Sequence, residues 1–473
     1  MSTIHSRIAG AALLALCSAS ALAATPGAFD SSWGFGGGKA QLPFDLGVLK
    51  RDTATAAVQG SDGSFYIAGT VTGADNLDHI GIAKLSPDGK ILTGFSGDSR
   101  NVSLLANVVA TGIALSPDEN RVYVSGYTTA NAPDYDMVVC QFSANNGTNV
   151  VFPDSGTNSS CVSPSSFPGD QDIARDVVVQ PDGKIVVAGT VGRTSPSNTY
   201  AAFARFEAGG NVDSTFGNVL GKPGLALVRD TDAYARHVVR AVALTSDGKI
   251  VGVGDTVRVN TTDLAGLVVR IDGAPNSQAD AEELAVQRDN SPDRDTVFND
   301  VIAVADPDAE DDALLVAGSV ELSANKASGF LGKIRSDLGA LDIGGFGEDN
   351  GFTAVTPTVD TLAFRSIALQ DSGKILALGT RVYDDFPYTF VDVMRFDADG
   401  MRDGQFGLGQ VLNAGHTVID FGTDAGFNAP AGLAVRGNEG AYIAAHAFKT
   451  DQNNDFFAAK LRLDVLFADG FED

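Results

Sequence analysis

Apolar and polar positions recur in one order along this chain, most clearly between Asp172 and Gly217. An apolar run (VVVQ) meets a tight turn (PDG) and then a second apolar run (IVVAGT). A polar loop, a third run (AAFARF), a glycine turn and a short closing run ending at Phe216-Gly217 follow. The stretch has no helical period, so three or four short strands joined by turns predict a small antiparallel meander. In the turns, Asp caps the bend and Gly accepts a positive φ that a Cβ would resist. Asp182-Gly183 and Asp247-Gly248 lack the alternating oxygen ligands and distal Glu of a calcium loop, and are read as hairpin turns.

The apolar–turn–apolar core returns at Ala56 to Thr70, Thr111 to Tyr127, Asp176 to Thr190, Ala241 to Asp255, Val301 to Ser319, Ser366 to Thr380 and Gly432 to His446. About seven copies at a period of roughly 60–65 residues indicate a propeller or solenoid. Each core is followed by a third strand, such as AAFARF or VDVMRF. A closing D-x-x-F-G piece is plain at Val212 to Gly217, Leu341 to Gly347 and Arg402 to Gly407. The last copy lacks that piece, while FDSSWGFG (Phe29 to Gly36) stands unattached near the start. The expectation is an all-β, seven-bladed β-propeller of four-stranded antiparallel blades, closed by an N-terminal strand. Closure removes the exposed edges of a meander array.

The Q-P-D-G-K-I-V-V-A-G core, the third strand ending in A-R-F and the L-D-x-x-F-G piece resemble the delta-60 repeat family of bacterial exported proteins. The resemblance covers nearly all of the chain beyond its first residues. It implies a β-propeller and no particular activity. The fifth copy departs from the pattern: DPDAEDD replaces the tight turn, and AEELAVQR before it reads as a helical turn in place of an outer strand.

The start of the chain adds a compartment. Arg7, the apolar run Ile8 to Leu16 and the small-x-small site Ala21-Leu22-Ala23 read as a signal peptide over residues 1–23. The propeller then spans 24–465, and the acidic-aromatic stretch 466–473 is a C-terminal tail. An exported, periplasmic or extracellular protein without membrane insertion is expected. Cys140 and Cys161 remain after cleavage, and an even pair in an exported chain favours a disulfide over two free thiols. High glycine (54 residues) and low charge content (19%) suit short strands and turns. A formal charge of -26 repels phosphates and anionic lipids, which excludes nucleic acid as a partner.

The repeat itself carries charge. Lys84, Arg205, Arg270, Lys333, Arg395 and Lys460 end the third strands, with Gln141 the exception. Asp30, Asp213, Asp342 and Asp403 open the closing pieces. Paired, these groups are structural; unpaired, they would ring the channel with positive charge.

Function is sought where copies differ. The turns after first and third strands are short and alike, so they share one face. The long, varied loops after second strands share the other with the connections between copies, and variable loops on a rigid scaffold are where binding resides. The candidate ligand face is Asp134, Tyr135, Asp136, Tyr200, Tyr383, Asp384, Asp385 and Tyr388, whose rings could stack on sugars while carboxylates bond hydroxyls. The histidines His79, His237, His416 and His446 are scattered, and the sequence holds no zinc spacing, nucleophile elbow or phosphate loop. A monomeric, non-enzymatic binding scaffold for a carbohydrate or protein, without a cofactor, is the expectation. Its alternative is a glycan lyase or hydrolase drawing carboxylates and Tyr from several blades, and calcium is the one metal the acidic loops would suit.

Overall fold

Each tight turn joins the strands it separates in the sequence. In a computed structural model, Asp172–Val179 pairs antiparallel with Ile185–Gly192, which pairs with Thr199–Phe206, which pairs with Leu225–Val228. The structure describes residues 25–463 apart from 165–170, 193–198, 220, 229–233, 260–261, 273–280, 287–294, 307–310, 324–325, 336, 339–340, 343–344, 349–350, 356–360, 384–387, 408–414, 422–426 and 451–452. The expected signal peptide and the whole of the expected tail therefore lie outside the described residues.

The chain is an all-β propeller built from four-stranded antiparallel meanders. The first strand of each meander packs against the first strand of the next. The order runs through Lys50–Gln59, Val108–Leu115, Asp172–Val179, Tyr234–Leu244, Thr296–Val304, Thr361–Leu369 and Asn428–Arg436, then back to Lys50–Gln59. Apolar cores lie between facing sheets. Val186 and Phe203 of one meander, for example, pack with Val239 and Leu267 of the next.

The expectation of seven separate blades is corrected. Among the described residues, five four-stranded blades stand separately, eight strands form one sheet, and Asn218–Val219 pairs with Lys222–Pro223 in a two-stranded ribbon. Its cause is local. Lys39–Leu42 covers only Phe456 to Ala459 on the edge of Asn453–Arg462. The start of that strand stays open, and Lys50 and Arg51 run parallel beside Asn453 and Asn454 there. AEELAVQR is also corrected: Ala281–Val286 is the outer strand paired with Leu264–Ile271.

The repeated charges are structural pairs. Arg205 reaches Asp213 at 2.8 Å, Arg395 reaches Asp403 at 2.7 Å, Lys333 reaches Asp342 at 3.3 Å and Lys460 reaches Asp30 at 3.0 Å. The aromatic residue of the closing piece packs with the same cation: Phe216 lies 4.4 Å from the Arg205 guanidinium and Phe406 lies 5.1 Å from that of Arg395. Two copies diverge without leaving the cation alone. Lys84 donates to the Ala144 carbonyl at 3.0 Å, and Arg270 reaches Asp311 at 3.5 Å. The D-x-x-F-G pattern thus encodes a lock that ties the fourth strand's approach to the third strand.

Cys140 and Cys161 form a disulfide between paired third and fourth strands. The bond closes a separation of 21 residues, so Cys140→Ser with Cys161→Ser should lower stability by about 3 kcal/mol. Chemical denaturation of the double variant beside the oxidised parent checks this. The disulfide is compatible with export, and among the described residues no helix is long and apolar enough to cross a membrane.

Candidate functional site

The inner strands share an irregularity that positions the site. Each slips register by one residue, including between Ala174 and Asp176, Val239 and Ala241, Phe298 and Asp300, and Phe364 and Ser366. A bulge leaves one residue outside the ladder and re-aims its side chain. The residues at these four bulges are Arg175, Arg240, Asn299 and Arg365.

The residue after the bulge fastens one meander to the next. Asp176 accepts from its neighbour Val177 N–H at 2.8 Å and from Val242 N–H of the following inner strand at 2.9 Å. Asp300 repeats this with Val301 and Ile367, both at 2.8 Å. The strands approach so closely that a Cβ on Gly112 would lie 2.6 Å from the Asp176 carboxylate, which is why glycine stands there. Burial raises both carboxyls, Asp176 to about 7 and Asp300 to about 6, against the pull of those backbone amides.

The bulge arginines occupy one repeat position on three inner strands and act on one another electrostatically. The charge of Arg240 acts on Arg175 in the preceding meander and on Arg365 two meanders onward. Burial lowers the Arg175 and Arg365 guanidinium groups from their ordinary values, and Arg240 lowers them further. Arg240 Nε donates to Asp255 at 2.8 Å, and Arg236 reaches the other oxygen of that carboxylate at 2.7 Å. Asn299 Nδ2 donates to the Phe364 carbonyl at 2.8 Å. By contrast, Arg175 Nε is buried with no hydrogen-bond partner among the described residues.

Part of the sequence-derived ligand face adjoins these arginines. Tyr135 lies 5.5 Å from Tyr127, ring centre to ring centre, and both rings are half-buried. Burial raises the Tyr127 phenol, the Arg175 charge opposes this and Tyr135 adds to it. Tyr127 ends a second strand and Tyr135 sits in the loop after it, so the pair belongs to the loop-rich face. Asp134 and Asp136 flank Tyr135 in that loop, and Asp134 Oδ1 is buried with no hydrogen-bond partner among the described residues.

The rest of the expected face is dispersed. Tyr200 lies half-buried in the strand Thr199–Phe206, packed against the core. Tyr383 meets Phe390 at 5.3 Å with the Arg381 guanidinium 5.9 Å from its ring. Tyr388 pairs at 6.4 Å with Phe427, and the two are 37% and 44% exposed. Asp384 and Asp385 lie outside the described residues. Of the acidic run, Asp312 accepts from Ser246 and Asp311 pairs with Lys249. Among the described residues no three His, Cys, Asp or Glu side chains come together to hold a metal. The opposite face carries a shallow depression of about 500 Å³ between Pro117, Asp118, Tyr123, Pro181 and Asp182. Its Asp118 is taken up by Ser116 and Asn120.

Residues 180–216 match a β-propeller domain of unknown function, DUF5122. A propeller repeat family is thereby supported. No curated protein matches the chain. Among solved structures it is similar to a protein of unknown function from Dyadobacter fermentans DSM 18053 (10% identity, 76% of this chain and 96% of that one, TM-score 0.45). It is also similar to the Hadza microbial sialidase Hz136 (11% identity, 81% and 73%, TM-score 0.42) and to a glucose dehydrogenase (10% identity, 89% and 99%, TM-score 0.38). Enzymes and proteins of unknown function thus stand side by side, and likeness at this level says nothing of activity.

The bulge arginines escaped the sequence-derived face because binding was sought in the loops. The signal was nevertheless present: Arg opens the first apolar run in RDVVV, RAVAL and RSIAL, at Arg175, Arg240 and Arg365.

Proposed function

We propose that this chain is an exported, non-enzymatic binding propeller that takes a saccharide at the loop-rich mouth of its channel. The observation that carries this reading is the half-buried Tyr127–Tyr135 pair beside Arg175, on the face where the repeats differ most. Aromatic faces stack on sugar rings, and the neighbouring polar groups orient the hydroxyls. The exposed Tyr388–Phe427 pair offers a second aromatic surface on the same face. Binding is favoured over catalysis because Asp255 is committed to Arg236 and Arg240, while Asp134 and Asp136 share one loop. Most glycoside hydrolysis uses two carboxyl groups facing each other across the bond.

Thermal unfolding with a panel of polysaccharides tests the reading. A ligand at 100 times its dissociation constant adds about 2.7 kcal/mol to stability, visible as a raised midpoint. Tyr135→Ala should weaken the binding about tenfold while leaving unliganded stability nearly unchanged. A flat panel, or turnover of the bound saccharide, would contradict the proposal.

A further inference from the structure

The inner strands place three arginines at one repeat position, and among the described residues only Arg240 is paired with a carboxylate. Arg240 shares Asp255 with Arg236. Arg175 has its Nε buried without a partner among the described residues, although Asp255 acts on it at longer range. The Arg365 side chain makes no ion pair or hydrogen bond among the described residues. Among the described residues, Asp255 pairs with Arg236 and Arg240 and acts on Arg175 at longer range, and no carboxylate is paired with Arg365. The other carboxyls near the axis, Asp176 and Asp300, already accept from backbone amides.

Such a cluster is costly to leave unanswered. Like charges around a channel repel, and a desolvated guanidinium with an unfilled donor loses hydrogen bonds that water gave it. The cost is the more telling because the protein as a whole is acidic, with a formal charge of -26. Neutral residues occupy the corresponding bulges elsewhere, Thr55, Thr111, Asn299 and Ala431, so the fold does not require a cation there.

We infer that Arg175, Arg240 and Arg365 form an anion site in the channel mouth, which takes the carboxylate of an acidic saccharide whose ring lies against Tyr127 and Tyr135. The inference rests on the saccharide-binding reading above and narrows it to an oxyanion-bearing sugar. Guanidinium forks bind carboxylates through paired charge-assisted hydrogen bonds, and planar guanidinium groups suit that geometry. Stacking on the tyrosines would fix the sugar ring while the arginines read its charge.

The test titrates the protein with an oligogalacturonate, with its methyl ester, and with inorganic phosphate and citrate. Arg175→Gln and Arg365→Gln are the matched variants; neither substitution breaks an ion pair, so both should fold. The expected result is binding of the oligogalacturonate but not the ester, with each variant weakening it about tenfold or more. Equal binding of acid and ester would overturn the anion site and leave the saccharide reading standing. Binding of phosphate or citrate alone, lost in the variants, would keep the anion site and overturn the saccharide. No binding of any probe would overturn both.

Discussion

Asp213→Ala is expected to lower the stability of the protein by about 3–5 kcal/mol, the cost of leaving buried cations without their carboxylate. Asp213 is 1% exposed and receives Arg205 at 2.8 Å and Lys184 at 2.7 Å on one oxygen. Its other oxygen accepts from the Thr215 amide at 2.9 Å and the Thr215 hydroxyl at 2.6 Å. Burial alone would raise this carboxyl, but Lys184, Thr215 and then Arg205 pull it well below the usual carboxylate range. Arg205 is itself 4% exposed, so its guanidinium has no water to turn to when the carboxylate goes. Arg205→Met, which leaves Asp213 with Lys184 and fills the space with an apolar chain, should cost less. Denaturant titration of both variants decides the matter. Equal, small losses would show that the lock contributes little to the fold.

The second large effect is a fall in stability as pH rises through neutrality. Asp176, Asp300 and Asp52 are raised by burial, to about 7, 6 and 6. A raised folded pKa favours the neutral form, so the stability these groups contribute is complete below pH ~4 and is lost as pH climbs through 6–7. For Asp176 the shift from 3.8 to about 7 corresponds to about 4 kcal/mol at alkaline pH. Groups of the opposite sign set the acid limit. Asp213 is lowered, and Asp118 and Asp247 fall to about 2, so their contribution is lost as pH drops below the ordinary carboxylate range. Stability should therefore peak between about pH 4 and 6. Asp176→Asn removes the charge and also one of two acceptor oxygens, a loss of about 1–2 kcal/mol. The variant should be less stable than the parent at pH 4 and more stable at pH 8. A difference of constant sign across that range would refute burial as the cause.

These two effects show what could be read from the residues alone. The D-x-x-F-G piece and the cation ending each third strand were visible as a repeated pair, and the pairing at Asp213, Asp342, Asp403 and Asp30 follows from burying a charge beside a carboxylate. Strand order within a meander was equally plain, because PDG and glycine turns separate apolar runs of strand length. The way the ring closes was not legible. Whether Lys50 and Arg51 bond to Asn453 and Asn454 depends on how far Lys39–Leu42 covers its partner, a matter of a few residues of register between the two ends of the chain. Five separate blades and one eight-stranded sheet result, where sequence periodicity had implied seven equal units.

The site was half legible. Tyr135 stood out because a long loop with Tyr between two Asp is unusual among short turns. Arg175, Arg240 and Arg365 did not, because each lies inside an apolar strand and is brought to the axis only by a bulge. Tyr200 follows a polar loop in sequence but lies in a strand whose faces pack on the core.

Hydrogen–deuterium exchange of the protein with and without saturating oligogalacturonate tests the central claim, that ligand enters at the loop-rich mouth. The account predicts slowed exchange in peptides spanning Tyr127 to Asp136 and in the inner strands Asp172–Val179 and Thr361–Leu369, with the turns around Asp182 and Asp371 unchanged. Protection confined to those turns, on the opposite face, would contradict it.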